Sequence, residues 1–352
     1  ISGELIERLR RWGYPEVLTD GAATGAPSYL STASATATAS VLDVGIRERQ
    51  QLDAAKRLYY ASAGFAVEDL KGYKEEGKLN IARITERMKP LIDMIRSSRD
   101  AVLRYPEFAF QPENYLYAHS LNTAILSLAV GDLLKLPPHR MIELGIAALL
   151  HDVGMLKLPE ALYLSSRPLE AREVQMVRAH TTLGYRILKG FSVSEDIALA
   201  AYEHHERVDG SGYPRGLKAD KISLFSRIVG AACAYDAIVS KRQFREAKDM
   251  HVGLLEVLRE RNRLFDDKVA RALVLCLSPY PLGSLVRLTD NAVARVVKTN
   301  PENPKYPYVT LLVDKDGNPL AEPVLARTEE AGPAIQRTLT PEEAARLRRG
   351  GA

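Results

Sequence analysis

Sulfur, tryptophan and long apolar runs are all scarce in this 352-residue chain. It holds two cysteines, Cys233 and Cys276, and one tryptophan. The cysteines stand far apart and outside any CxxC, which argues against a disulfide framework or a zinc ribbon and for a reducing, cytoplasmic setting. The most apolar stretches, AILSLAVGDLLKL and IELGIAALL, are broken by Asp, Lys or Glu and fall short of the ~20 residues that a bilayer span needs. No membrane span is expected. Charge of one sign is lacking too, since 48 Lys and Arg face 44 Asp and Glu for a formal net charge of +4. That is too mild for a binder of nucleic-acid polymer, although it suits a small phosphorylated ligand. The chain starts at Ile1 rather than Met and carries no signal-peptide pattern, which leaves room for an upstream domain.

What is present is the balance of a globular protein, 46% hydrophobic and 26% charged. Residues 1–18 place Leu5, Ile6, Leu9 and Trp12 at helical spacing. Residues 21–40 are rich in Gly, Ser, Thr and Ala and read as a flexible linker. From Val41 to about Arg104 the pattern is helical again. Ile81, Ile84, Met88, Leu91 and Ile95 form a short seam that packs on its own domain or on a second copy, giving a homodimer through N-terminal helices. Pro90 inside the seam predicts a kink or a split. Residues 106–280 read as successive helices broken by PP, GYP and SP turns. After Pro279, GSLVRLTD, AVARVVKT and YVTLLVD read as short strands, and Thr340 with Pro341 opens a last short helix. The fold class is mainly α, with expected divisions at 1–105, 106–280 and 281–352.

Polar residues recur at the ends and on the buried faces of the middle helices. His151–Asp152 follows IAALL, His119 lies in an apolar helix, His180 ends EVQMVRAH, His204–His205 ends EDIALAAYE, and Asp236 sits within AACAYDAIV. Any one of these alone is best read as a core residue with its hydrogen bonds satisfied. Together they present five buried imidazoles and a buried carboxylate, whose demands a metal ion meets at once. His139 and His251 lack that context.

The order His119, His151–Asp152, His180, His204–His205, Asp236, with the HHE triplet ending at Glu206 and DGSGYP behind it, resembles the HD-GYP phosphodiesterases, a branch of the HD phosphohydrolase superfamily. The likeness covers roughly residues 106–280, and PLGSLVRL resembles the C-terminal extension that many members carry. It implies an HD-domain helical bundle whose metal centre hydrolyses cyclic di-GMP to linear pGpG, with GMP if a second cut follows. By position it implies His119, His151, Asp152 and Asp236 around one ion, with His180, His204, His205 and a bridging Asp152 around another. The ions implied are iron or manganese rather than zinc, because the ligand set contains no thiolate. The resemblance also makes Tyr213, Gly212 and Pro214 ligand-facing, with Gly210 and Gly212 at positive φ. Asp209 is implied as an orienting or proton-donating group, and Arg245 and Lys248 in SKRQFREAK as phosphate and guanine contacts.

Two positions depart from the family pattern. Met155 stands where members carry a lysine near the scissile phosphate, and Lys157 comes two residues later as the candidate substitute. Tyr115 stands where three-metal members carry a glutamate, so two ions are expected. The departure at Met155 keeps two other readings open, a cyclic di-GMP sensor of low turnover and a hydrolase of another cyclic dinucleotide.

Overall fold

A computed structural model describes residues 35–103, 115–165, 167–240, 250–277, 283–298, 305–329 and 332–340, with a few isolated positions besides. The helix expected over 1–18 and most of the linker expected over 21–40 lie outside the described residues. Residues 46–279 cluster as one compact unit, and residues 280–352 fall in another.

The first unit is helical. α1 spans Ala35–Glu76 and α2 spans Ile81–Val102. α1 takes in the last residues of the stretch read as a linker, where alternate alanines favour a helix over a coil. Asn80 caps α2 by accepting the Arg83 N–H at 2.9 Å. α2 runs through Pro90, and the departure from helical geometry falls at Ser98. Ile84, Met88, Leu91 and Ile95 of the seam are buried, and α2 packs against the two helices that follow it. These are α3 (Tyr115–Leu133) and α4 (Pro138–Leu150). The seam is thus used within the chain. α2 and the part of α1 from Ile46 onward cluster with the histidine-bearing helices.

α3 is mostly apolar and is buried on every face from Leu116 to Gly131, as a central helix is. α4 opens with Pro138, whose missing N–H costs nothing in a first turn. A 3-10 turn, Val153–Lys157, leads to α5 (Glu160–Tyr163), α6 (Ala171–Arg178), α7 (His180–Lys189) and α8 (Glu195–Glu203). α9 (Leu224–Val239) is capped by Ser223, whose hydroxyl accepts the Ser226 N–H at 3.1 Å. α10 (Met250–Arg259) and α11 (Asp267–Leu277) complete the unit. α3 lies among α2, α4, α9 and α11, and α8 packs against α4, α7 and α9. No helix among the described residues is long and apolar enough to cross a membrane.

The second unit is an antiparallel sheet in the order β4-β3-β2-β1-β5. Its strands are β1 (Leu285–Leu288), β2 (Val293–Lys298), β3 (Tyr308–Val313), β4 (Pro319–Arg327) and β5 (Ile335–Thr338). Alternate residues point inward, so Val286, Leu288, Ala294, Val296, Val309 and Ile335 form one small core. Thr340 and Glu343 make a reciprocal cap: the Thr340 N–H donates to the Glu343 carboxylate at 2.9 Å and the Glu343 N–H to the Thr340 hydroxyl at 3.3 Å.

A histidine-rich candidate metal centre

The local fold explains how so many imidazoles meet. His151 and His204 are the C-caps of α4 and α8, and His180 is the first residue of α7. Three helix ends therefore converge, while α3 and α9 contribute His119, Cys233 and Asp236 from their sides. Gly154 permits the convergence. A Cβ there would lie 2.0 Å from the His180 carbonyl oxygen, so any larger residue would push α7 away from the His151–Asp152 turn.

Asp152 sits between two groups of donors. Its Oδ1 lies 3.2 Å from His180 Nε2 and 3.5 Å from His204 Nε2, while its Oδ2 lies 3.5 Å from His151 Nε2 and 4.0 Å from His119 Nε2. The tautomers follow from the other ring nitrogens. His180 Nδ1 donates to the Val177 carbonyl at 2.6 Å, His204 Nδ1 to the Ala200 and Ala201 carbonyls at 3.1 Å, and His151 Nδ1 to the Ala148 carbonyl at 2.7 Å. His119 Nδ1 donates to Asp236 Oδ2 at 2.6 Å. In its neutral form each of these rings turns a bare Nε2 toward Asp152. His180 and His204 bring two such nitrogens within 3.3 Å of each other. His151 Nε2 is fully buried and has no hydrogen bond. Lone pairs of nitrogen and carboxylate crowding together repel unless a cation lies among them, so the donor set fits divalent metal ions.

The two sides of Asp152 differ in protonation. Against the effect of burial, Tyr115, Cys233 and Asp236 raise the His119 ring well above its ordinary value and Asp152 and Cys233 raise His151, whereas His180 and His205 on the other side are lowered. Burial pushes the His180 ring down to about 4, against the pull of Asp152. Burial likewise holds His205 well below the ordinary imidazole value. For Asp152, burial opposes the charge, but His151, His180 and His204 outweigh it and keep the carboxyl well below its usual range. The same contest holds for Cys233: burial opposes the thiolate, and the His119 and His151 rings win.

A cavity of about 540 Å³ opens over this cluster, lined among others by Tyr115, His119, Asp152, Met155, His180, His205, Tyr213 and Cys233. Its size is that of a small-molecule site. Tyr213 stacks on His205 with ring centres 4.7 Å apart, and the Arg178 guanidinium stands 4.8 Å over the Tyr213 ring. The loop carrying Tyr213 is clamped by Glu206, whose buried carboxylate accepts the Arg215 N–H at 2.7 Å and the Leu217 N–H at 2.9 Å. Gly210 has the expected positive φ of 85°. Gly212 does not; it is needed because a Cβ would meet the Glu206 Cα at 2.5 Å and the Arg207 N at 2.4 Å.

The structure brings together His119, His151, Asp152, His180, His204 and His205. Asp236, expected to hold an ion directly, stands one step back: Oδ2 binds His119, and Oδ1 accepts from Asn122 at 3.0 Å and Ser240 at 2.9 Å. Cys233, three residues earlier on the same face of α9, is the residue beside His119 Nε2, at 3.4 Å. A sulfur was not expected in the cluster. Lys157 is exposed, with its ammonium 4.7 Å over the Tyr73 ring, and is not among the cavity-lining residues. The 3-10 turn is the reason, because it sends Met155 inward and Lys157 outward. Asp209 is exposed and accepts from the Ser211 N–H and hydroxyl at 2.9 and 2.6 Å, so it shapes the loop rather than the histidines. Pro214 is exposed at the loop. Lys248 pairs with Glu256 at 2.7 Å, and Arg245 lies outside the described residues. Arg178 and Asn122 carried no motif to single them out.

Residues 91–269 match the HD domain family, and residues 285–347 match the KOW domain associated with HD domain. Among curated proteins, the chain is 32% identical over 200 residues to the cyclic di-GMP phosphodiesterase PdeB of Borreliella burgdorferi, covering 57% of this chain and 53% of that protein. It is 34% identical over 231 residues to the cyclic di-GMP phosphodiesterase PA4108 of Pseudomonas aeruginosa, covering 63% and 55%. The chain thus spans about half the length of these relatives. Among solved structures, Bd1817, an HDG"Y"P protein from Bdellovibrio bacteriovorus, matches in fold with a TM-score of 0.50 at 16% identity, covering 64% of this chain and 76% of that one. With the ordered histidines, the HHE triplet and the DGSGYP loop meeting at one cluster that could hold divalent metal, the chain belongs to the HD-domain family, in its HD-GYP branch.

Proposed function

We propose that the protein is a metal-dependent phosphodiesterase that opens cyclic di-GMP to linear pGpG. One observation carries the reading: the Asp152 carboxylate lies between two groups of bare imidazole nitrogens, one oxygen toward each. Two divalent ions, iron or manganese, would be held here, by His119 and His151 on one side and by His180, His204 and His205 on the other, with Asp152 available to both. Bound there, they supply Lewis acidity that eases deprotonation of the attacking water and offsets charge on the phosphate. The chain's own residues do the rest. Asp152 and the ring nitrogens fix the position of attack, while the backbone carbonyls behind the rings hold each tautomer. Tyr213, held between the His205 ring and the Arg178 guanidinium, turns its edge and hydroxyl to the ligand, and Arg178 offers a cation to a phosphate. The curated relatives named for cyclic di-GMP favour this dinucleotide over others.

A second reading, a binding module with little turnover, is favoured by Met155, which lines the cavity where a lysine would neutralise charge. Losing one such contact costs roughly 10²–10³ in rate. The test is to incubate the protein with Mn²⁺, or anaerobically with Fe²⁺, and to follow pGpG and GMP by chromatography beside a mixed cyclic dinucleotide. The proposal expects pGpG to accumulate and the H151A/D152A double variant to make none. Tight binding without product would instead carry the second reading.

A further inference from the structure

Cys233 is the one chemically soft group in the cluster, and its surroundings leave it an unusual demand. His119 gives its Nδ1 proton to Asp236, and His151 gives its own to the Ala148 carbonyl. Both Nε2 atoms face the cysteine, and in the neutral rings, the form in which imidazole ligates a metal, both are acceptors. The Nε2 atoms of His119 and His151 and the Cys233 sulfur all lie within 4.8 Å of one another. A thiol carries one proton and can serve one of the two rings, and His151 Nε2 is in fact buried without a hydrogen bond. A cation satisfies the sulfur and both nitrogens together. Asp152 Oδ2 lies beside both rings, 4.0 Å from His119 Nε2 and 3.5 Å from His151 Nε2.

Resting on the metal-centre reading above, we propose that Cys233 is a metal ligand, joining His119, His151 and Asp152 around one of the two ions. The centre is then asymmetric. One position offers nitrogen, oxygen and sulfur, and the other, made by His180, His204, His205 and Asp152, offers nitrogen and oxygen only. Thiolate favours zinc and ferrous iron over manganese, whereas imidazole and carboxylate alone discriminate less. The sulfur position is therefore a zinc or ferrous site, and a protein loaded with manganese alone is under-filled there. Asp236 becomes the outer partner that orients His119, in keeping with its engaged oxygens.

Cobalt tests this without reference to turnover. The full chain, titrated anaerobically with Co²⁺, is expected to bind two ions and to develop a near-ultraviolet sulfur-to-cobalt charge-transfer band. In C233S the band is lost and one of the two ions goes with it, while circular dichroism keeps its helical signature. In C276S the band stays, because Cys276 is buried on α11 away from the cluster. C233D, which restores a hard ligand, should bind two ions without the band and lose its preference for zinc over manganese. Two bound cobalt ions with no band in the unaltered chain overturn the role of Cys233 and leave the metal centre standing. No cobalt bound at all overturns the metal-centre reading itself.

Discussion

The two sides of Asp152 are built by different means. On the Oδ1 side, His180 and His204 are oriented by carbonyls three and four residues earlier in the chain, Val177, Ala200 and Ala201. On the Oδ2 side, His151 is held in that same local way, but His119 depends on Asp236 from another helix. Asp236 is fixed in turn by Asn122, and Asn122 accepts from the Tyr59 hydroxyl of α1 at 2.9 Å. One side is thus set by helix geometry alone. The other is the end of a buried chain of hydrogen bonds that starts in the N-terminal helix. The difference teaches that a ring pinned by its own helix is robust to changes elsewhere, and a ring pinned by tertiary partners is a place where changes in α1 can reach the metal.

The largest effect should come from Asp152, which serves both sides. Asp152→Ala is expected to lower both metal contents and to reduce turnover by more than about 10³-fold, beyond the loss of a single electrostatic contact. Elemental analysis beside the product assay checks it; retention of one full equivalent would show that the sides do not share this carboxylate. Next come His180→Ala and His119→Ala. Each should remove one ion and leave the other, and the two variants should differ in which of zinc or manganese they keep. If both lose the same ion, the division into two sides is wrong.

The same contrast explains how much of the site was legible beforehand. His151, His180 and His204 could be read because each marks a helix end, where a break in apolar periodicity exposes it. Their partners are local carbonyls, so nothing further along the chain had to be known. That Cys233 stands beside His119 Nε2 while Asp236 binds its Nδ1 could not be read. Both lie on one face of α9, and which of them meets the Nε2 edge of His119 depends on how α9 sits against α3. A carboxylate looks like a ligand in a sequence, and a lone cysteine in an apolar helix looks like core. The outward turn of Lys157 was hidden for a similar reason, since a 3-10 turn advances side chains differently from the α-helix before it. The helical unit and the small sheet were easier, because periodicity of three and four gave way after Pro279 to periodicity of two. Glu206 as the clamp of the Tyr213 loop rests on two backbone donors nine and eleven residues away, which no pattern of side chains announces.

Asp236→Asn probes the tertiary side more gently than removal of a ligand. The ring of His119 loses its charged acceptor, and affinity on that side should fall roughly 10- to 100-fold while the His180 side is unchanged. Two-phase metal titration reads this directly, and an equal loss in both phases would mean that Asp236 supports the whole bundle rather than one ring.

Tyr59→Phe should have the smallest effect and is the sharpest test of the contrast. Tyr59 is buried, and burial together with the nearby Asp236 charge raises its hydroxyl pKa, so it remains a donor at any working pH. Removing the hydroxyl takes one hydrogen bond from Asn122, at a cost of about 1 kcal/mol in stability. Asn122 keeps its own donation to Asp236, so His119 is loosened and not released. Metal affinity on the sulfur side should drop by less than about tenfold, below the range for a direct outer partner, and the His180 side should not respond. Denaturant unfolding and the two-phase titration separate the outcomes. A stability loss with both phases intact would confine Tyr59 to packing, whereas a selective loss in the first phase would make α1 a lever on one ion of the pair.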